Sequence, residues 1–175
     1  MSRFVVRPAE VRDAGGIAHV HVTSWLETYR GLMPDSVLDN LSVERRTKQL
    51  EHTLEDGSDI YHLTLVAEAN HKVVGFANYG KEREGDPEYQ GELFAIYILK
   101  EFHEEGIGRE MVKHVASGLL AIDISSMLVW VLEDNLSKRF YERLGGEYLR
   151  EKQVQTGDSI LQEKAYGWRD IHVLI

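Results

Sequence analysis

The sequence predicts an α+β domain, and three observations carry that reading. Strand-like and helix-like segments alternate along the 175 residues in the order β, α, α, β, β, β, α, β, α, β, β. Residues 92–115 run from a stretch dense in Phe, Ile, Tyr and Leu, through a polar loop holding Gly106 and Gly108, into a run with Ile107, Met111, Val112, Val115 and Leu119 on one helix face. Residues 125–132 are apolar on both faces, the pattern of a central strand.

The elements follow in order. Residues 3–7 alternate as a short strand stopped at Pro8. A helix is expected over 8–29, from the stripe Val11, Ala14, Ala18, Val22, Trp25 and Tyr29, with Glu10 and Asp13 in its early turns and Gly31 and Pro34 beyond its end. A short helical turn covers 35–41, and Ser42 caps a polar helix running to about Leu54. Residues 55–59 form a loop. Residues 63–68 and 73–79 read as strands joined by a tight turn at Asn70-His71, and 81–89 as a loop. After the organising stretch and the central strand, 135–144 reads as a helix ended by Gly145-Gly146. Residues 148–154 and 160–166 are a last pair of strands around Thr156-Gly157-Asp158.

Composition narrows the function. Hydrophobic residues make up 43%, enough for one domain over residues 1–175, and there is no internal repeat or low-complexity tract. No apolar run reaches membrane-spanning length, and the first residues lack the apolar core of a signal peptide. The chain has no cysteine, which excludes disulfides, thiolate metal sites and a cysteine nucleophile, and suits a reducing, cytoplasmic setting. A net charge of −9 argues against nucleic acid as a partner and favours cationic ligands such as amines. The eight histidines show no ligand spacing, so no metal is expected.

The loop at 103–109 has a physical use. Glycines allow positive φ, and the first amides of the following helix have no internal partner, so they suit a phosphate. It is not a dinucleotide fingerprint, because Met111 stands where a third glycine is required. Nor is it a P-loop, because Arg109 and Glu110 follow Gly108.

With His103, Gly106 and Gly108 after the strand containing Ile96, Tyr97 and Ile98, this stretch resembles the acyl-CoA signature of the GCN5-related N-acetyltransferases, the GNAT superfamily: Gln/Arg-x-x-Gly-x-Gly/Ala. His103 departs from the usual Gln or Arg. A second motif downstream, Asn135, Ser137, Phe140 and Tyr141, resembles the family's Asn…Ala/Ser…Phe-Tyr. Residues 24–31 are similar to a segment that borders the acceptor site in one bacterial branch.

The resemblance implies a mixed sheet with helices on both sides, acetyl-CoA as co-substrate, an amine acceptor, and homodimers as a frequent assembly. It places the pantetheine arm along Ile96, Tyr97 and Ile98. The pyrophosphate falls on the amides of His103, Glu104, Glu105, Gly106, Ile107, Gly108 and Arg109. Asn135, Ser137 and Phe140 lie near the CoA arm, Tyr141 protonates the departing sulfur, and Trp25 and Tyr29 border the acceptor.

An amine protonated at neutral pH must lose a proton before it attacks, and Glu92 at the start of the strand is the carboxylate placed for this. Tyr29, Tyr97 and Glu27 are its rivals. The plainer readings are a packed Tyr141 on an amphipathic helix, a solvated Glu92 and an Arg109 on a solvent face. A non-catalytic acyl-CoA sensor of the same fold is the competing function. Small cationic amine, amino acid, aminoglycoside, protein N-terminus and lysine all stay open as acceptors.

Overall fold

The computed structural model describes residues 3–57, 59 and 61–175. Its centre is a seven-stranded mixed sheet in the order β1-β2-β3-β4-β5-β7-β6. The strands are β1 (Val5–Pro8), β2 (His62–Ala69), β3 (Lys72–Lys81), β4 (Gly91–Ile98), β5 (Met127–Leu132), β6 (Glu147–Thr156) and β7 (Ser159–Trp168). All neighbours are antiparallel except β4 and β5. The helices are α1 (Ala14–Tyr29), α2 (Asp35–Leu38), α3 (Val43–Asp56), α4 (Ile107–Leu120) and α5 (Lys138–Arg143).

The two faces of the sheet bury different sets. Met111, Val112, Val115 and Leu119 of α4 pack on Ala77, Leu93, Met127, Val129 and Val131. On the other face Ile17, Ala18 and Val20 of α1 and Leu50 of α3 pack on Val66 and Phe76, with Ala95 and Tyr97 against them. A third cluster joins Tyr29, Leu38 and Leu132 beside Trp25, and closes one end.

Element boundaries differ from the sequence reading where side chains compete with the backbone. α1 begins at Ala14, after a 3-10 turn over Val11–Asp13, because the Asp13 carboxylate accepts the Glu10 N–H at 2.7 Å and holds the chain out of the helix. Pro8 is inside β1 rather than beyond it, on a strand at the sheet edge where its missing N–H costs little. α5 is shorter than expected, because the Asn135 Oδ1 accepts the Ser137 N–H at 2.9 Å in a turn. β6 and β7 are longer than expected. Ser42 caps α3 as read, its Oγ accepting the Arg45 N–H, and α3 runs on to Asp56, with Gly57 left-handed after it. Of the loop expected at 55–59, Ser58 lies outside the described residues. Asn70 and His71 both take positive φ, the geometry of the tight hairpin turn read between β2 and β3.

β4 and β5 form the feature that positions the site. Their parallel ladder joins only Gly91, Glu92 and Leu93 to Met127, Leu128 and Val129. At that point β4 carries a bulge: Leu93 pairs with Tyr79 and Ala95 with Asn78, which leaves Phe94 as an extra residue. Beyond it the two strands part.

Candidate active site

The parting of β4 and β5 opens a cleft of about 250 Å³. Ala95, Ile96, Tyr97 and Ile98 form one wall and Val129, Trp130, Val131 and Leu132 the other. Trp25, Glu27 and Tyr29 of α1 cover it, and Asn135, Ser137 and Tyr141 enter from the segment after β5.

Backbone alternation decides what the β4 wall offers. Leu99 N–H donates to Val74 O at 2.9 Å, so alternate residues of β4, Tyr97 and Ala95, turn their backbone groups to β3. Ile96 and Ile98 turn theirs the other way, into the cleft. The Ile98 carbonyl, free of β3, accepts the Nε2–H of His103 at 2.8 Å. Of the three residues expected along a pantetheine arm, Ile96 and Ile98 thus present main-chain groups, and Tyr97 presents its side chain.

The loop before α4 leaves a run of backbone amides without partners. Glu104 and Gly106 have φ of 65° and 86°, both left-handed, so the chain turns sharply into α4. Among the described residues no backbone carbonyl accepts an amide of Glu104, Glu105, Gly106, Ile107, Gly108 or Arg109; the first helical bond is Glu110 N–H to Gly106 O. His103 does not belong to the set, because its N–H donates to Lys100 O and its ring is bound to Ile98. Gly106 faces open space, so its role is the left-handed backbone. Gly108 serves close packing as well, since a Cβ there would lie 3.2 Å from the Phe140 ring. Phe140 therefore sits behind this loop rather than in the cleft. Arg109 is exposed and forms no ion pair among the described residues.

Three tyrosines line the cleft. Tyr29 and Tyr97 hydroxyls are 3.1 Å apart. Tyr141 is only 5% exposed, with its ring against Phe140 and Trp168. Burial raises the pKa of all three above the ordinary phenol range, and the neighbouring Tyr29 adds to the effect on Tyr97 and Tyr141. Each keeps its proton at neutral pH. Trp25 stacks edgewise on Tyr29 at 4.9 Å. Behind them His21 contacts Trp25, Phe76 and Tyr97, and burial, helped by Arg46, lowers its pKa to about 4. It is a neutral ring, not a proton carrier. Ser24 Oγ and Trp25 Nε1, both at the cleft, are buried without a hydrogen-bond partner.

Glu92 is placed differently from the expectation. It is 2% exposed, and Arg83 binds both carboxylate oxygens, at 2.7 Å and 3.2 Å. Its side chain is not among those lining the cleft. The carboxylates that do line it are Glu27 and Glu163, and the sequence reading passed over Glu163. The signal available was strand pairing: Glu163 sits opposite Leu132 on β5, on the face shared with Trp130 and Ala165. That signal exists only once the pairing of β7 is known. Among the described residues no cluster of His, Asp and Glu could hold a metal ion, and no helix is long and apolar enough to cross a membrane.

The site thus joins an opened mixed sheet, unpaired amides at a helix N-terminus and a tyrosine in the gap. Solved structures share the fold. Ribosomal-protein-alanine N-acetyltransferase from Brucella melitensis matches with a TM-score of 0.71 at 22% identity, over 94% of this chain and 98% of its own. YncA from Salmonella typhimurium, a putative acetyltransferase solved with its cofactor acetyl-CoA, matches with a TM-score of 0.71 at 19% identity, over 95% and 94%. In sequence, a family model described as FR47-like protein matches residues 86–154. The uncharacterized N-acetyltransferase YuaI of Bacillus subtilis (strain 168) is 35% identical over 169 residues, which is 97% of this chain and 95% of that protein. The chain belongs to the GCN5-related N-acetyltransferase superfamily.

Proposed function

We propose that residues 1–175 act as one catalytic domain that moves the acetyl group of acetyl-CoA to an amine by direct attack in a ternary complex. The observation that carries this reading is the join of three parts: unpaired amides at 104–109, cleft-facing backbone of Ile96 and Ile98, and Tyr141 between the parted strands.

When bound, acetyl-CoA supplies a thioester. The amides of Glu104 to Arg109 suit its pyrophosphate, and the helix dipole adds to them. Glu104 and Glu105 stand exposed beside this cradle, where their charges work against an anion, and Arg109 offsets one of them. Ile96 and Ile98 offer the backbone groups that an amide-bearing chain pairs with. The Ile96 N–H is the donor available to a developing oxyanion in the cleft. Asn135 and Ser137 border the same channel. Tyr141 Oη holds a proton for the departing sulfur, and burial keeps that proton in place at every ordinary assay pH.

Trp25, Tyr29, Phe94 and Trp130 make the acceptor end aromatic, while Glu27 and Glu163 make it acidic. That combination suits a small cationic amine. The test is calorimetry with acetyl-CoA, followed by thiol release over a panel of amines, amino acids, aminoglycosides and peptides. Saturable binding with thiol release on cationic small amines is expected. Binding without turnover on any acceptor would favour the sensor reading, and no binding would end both.

A further inference from the structure

We infer that Glu163, on β7, takes the proton from the acceptor ammonium, so that the base of this enzyme stands on the far strand of the cleft rather than at Glu92. The inference rests on the acetyltransferase reading above.

The argument is one of charge compensation. Of the acidic groups at this cleft, Glu27 on α1 is exposed to solvent, and the two nearest Glu163, Glu92 and Glu84, already have a cation. Arg83 binds Glu92 and lies over the Phe94 ring at 4.4 Å. Lys152 binds Glu84 and lies over the Trp130 ring at 4.0 Å. Glu163 is opposite Lys152 in the β6–β7 ladder, yet among the described residues it forms no ion pair or side-chain hydrogen bond. It is half-buried and faces the cleft. Its uncompensated charge is what an incoming ammonium meets.

The surroundings tune the carboxyl in the useful direction. Burial raises its pKa, Lys152 opposes that, Glu84 adds to it, Arg83 opposes and Glu92 adds. From α1, Tyr29 faces it close enough for the Glu163 charge to raise the phenol's own pKa. A carboxylate of raised pKa is a stronger base for an amine proton. Tyr29 in turn neighbours Tyr141, so proton acceptor and proton donor flank one gap.

The protons balance. The ammonium gives one proton to Glu163, and the freed lone pair forms the N–C bond as the C–S bond breaks. Tyr141 gives a proton to the thiolate. The second nitrogen proton, lost as the amide forms, replaces the one Tyr141 gave. Glu163 releases its proton to solvent.

Two probe amines of nearly one shape test this: ethylamine, protonated at neutral pH, and 2,2,2-trifluoroethylamine, largely neutral there. Wild-type protein and Glu163→Gln are first checked for acetyl-CoA binding by calorimetry, then assayed for thiol release. Glu163→Gln should lose about 10²–10⁴ in kcat/KM for ethylamine and far less for the fluorinated amine. In Lys152→Met the acid limb of the ethylamine profile should move to higher pH, because a charge that lowers the Glu163 pKa is gone. Equal loss for both amines, with or without a lower melting temperature, would overturn the base role and make Glu163 structural. The same amine-selective loss in Glu92→Gln, with Glu163→Gln unaffected, would return the role to Glu92. If wild-type protein binds acetyl-CoA and acetylates neither amine, the acetyltransferase reading falls and takes this inference with it.

Discussion

Tyr141→Phe isolates one oxygen atom. The ring is 5% exposed and held by Phe140 and Trp168 at centroid distances of 5.4 Å and 6.4 Å, and both contacts survive the change. The hydroxyl makes no hydrogen bond to another described residue, so its removal orphans no donor or acceptor in the protein. The stability change should therefore stay within about 1 kcal/mol, a shift of roughly 2–4 °C in Tm for a chain of this length. Turnover should respond far more. A thiol of pKa near 8.5 leaves unaided at a useful rate, so the loss falls at or below the usual range for general-acid help, about 10- to 1,000-fold in kcat. The KM for acetyl-CoA should barely move, because the amide cradle lies elsewhere. Burial raises the phenol pKa, so the wild-type profile should show no basic limb from this group in the accessible range. The assay is thiol release under saturating acceptor, with thermal melting on the same sample. A folded variant with full turnover would refute the acid assignment. A variant that melts early and keeps its kcat per folded molecule would make Tyr141 scaffold.

The other predictions concern the cradle, the buried pair and a pH window. Gly106→Ala puts a side chain at φ 86°, which costs about 1–2 kcal/mol, and calorimetry should find weaker acetyl-CoA binding. Gly108→Asp drives a side chain against Phe140 and sets a negative charge in an anion site; binding should vanish while circular dichroism stays native, and unchanged affinity would mean the loop is not the cradle. Arg83→Met strips the cation from a carboxylate that is 2% exposed and should cost on the order of 3 kcal/mol, read as a melting temperature lower by roughly 6–12 °C. His21 is buried neutral, with a pKa lowered from 6.5 to about 4 by burial and by Arg46. A depressed histidine stabilises fully above its unfolded pKa, and that contribution is lost as pH falls from about 6.5 toward 4. His21→Phe should flatten the loss of Tm between pH 7 and pH 5, and an unaltered slope would assign the pH dependence to other groups.

The parts of the fold legible in the sequence are those whose signal is local. The apolar stripe of α4, the both-sided run of β5, the Ser42 cap and the Asn70-His71 turn each follow from residues within one element. The loop of Gly106 and the tyrosine at 141 were legible because short motifs fix them. What the sequence hid depends on pairing across distance. The Phe94 bulge appears only when β3 is laid beside β4, and the reach of Arg83 to Glu92 only when the loop after β3 folds back. Glu163 stands one residue from Lys164, and strand alternation alone cannot say which of the two faces the cleft. The His103 ring was also out of reach: its sequence position names a loop, and its bond to the Ile98 carbonyl is a tertiary fact.

The extra residue at Phe94 works as a phase shift. Side chains along a strand alternate, and one inserted position exchanges the faces of everything after it. Here Ile96 and Ile98 fall toward α4, and Tyr97 toward α1 and its tyrosine. A chain lacking only Phe94 would keep every other letter and lose the arrangement: Tyr97 would turn away from Tyr29, Ile96 and Ile98 would crowd α1, and nothing would interrupt the ladder that begins at Gly91. Catalysis in this protein is thus sensitive to counting as well as to chemistry. A single-codon deletion of a residue that carries no ionisable group should be as damaging as the loss of the proposed acid, Tyr141.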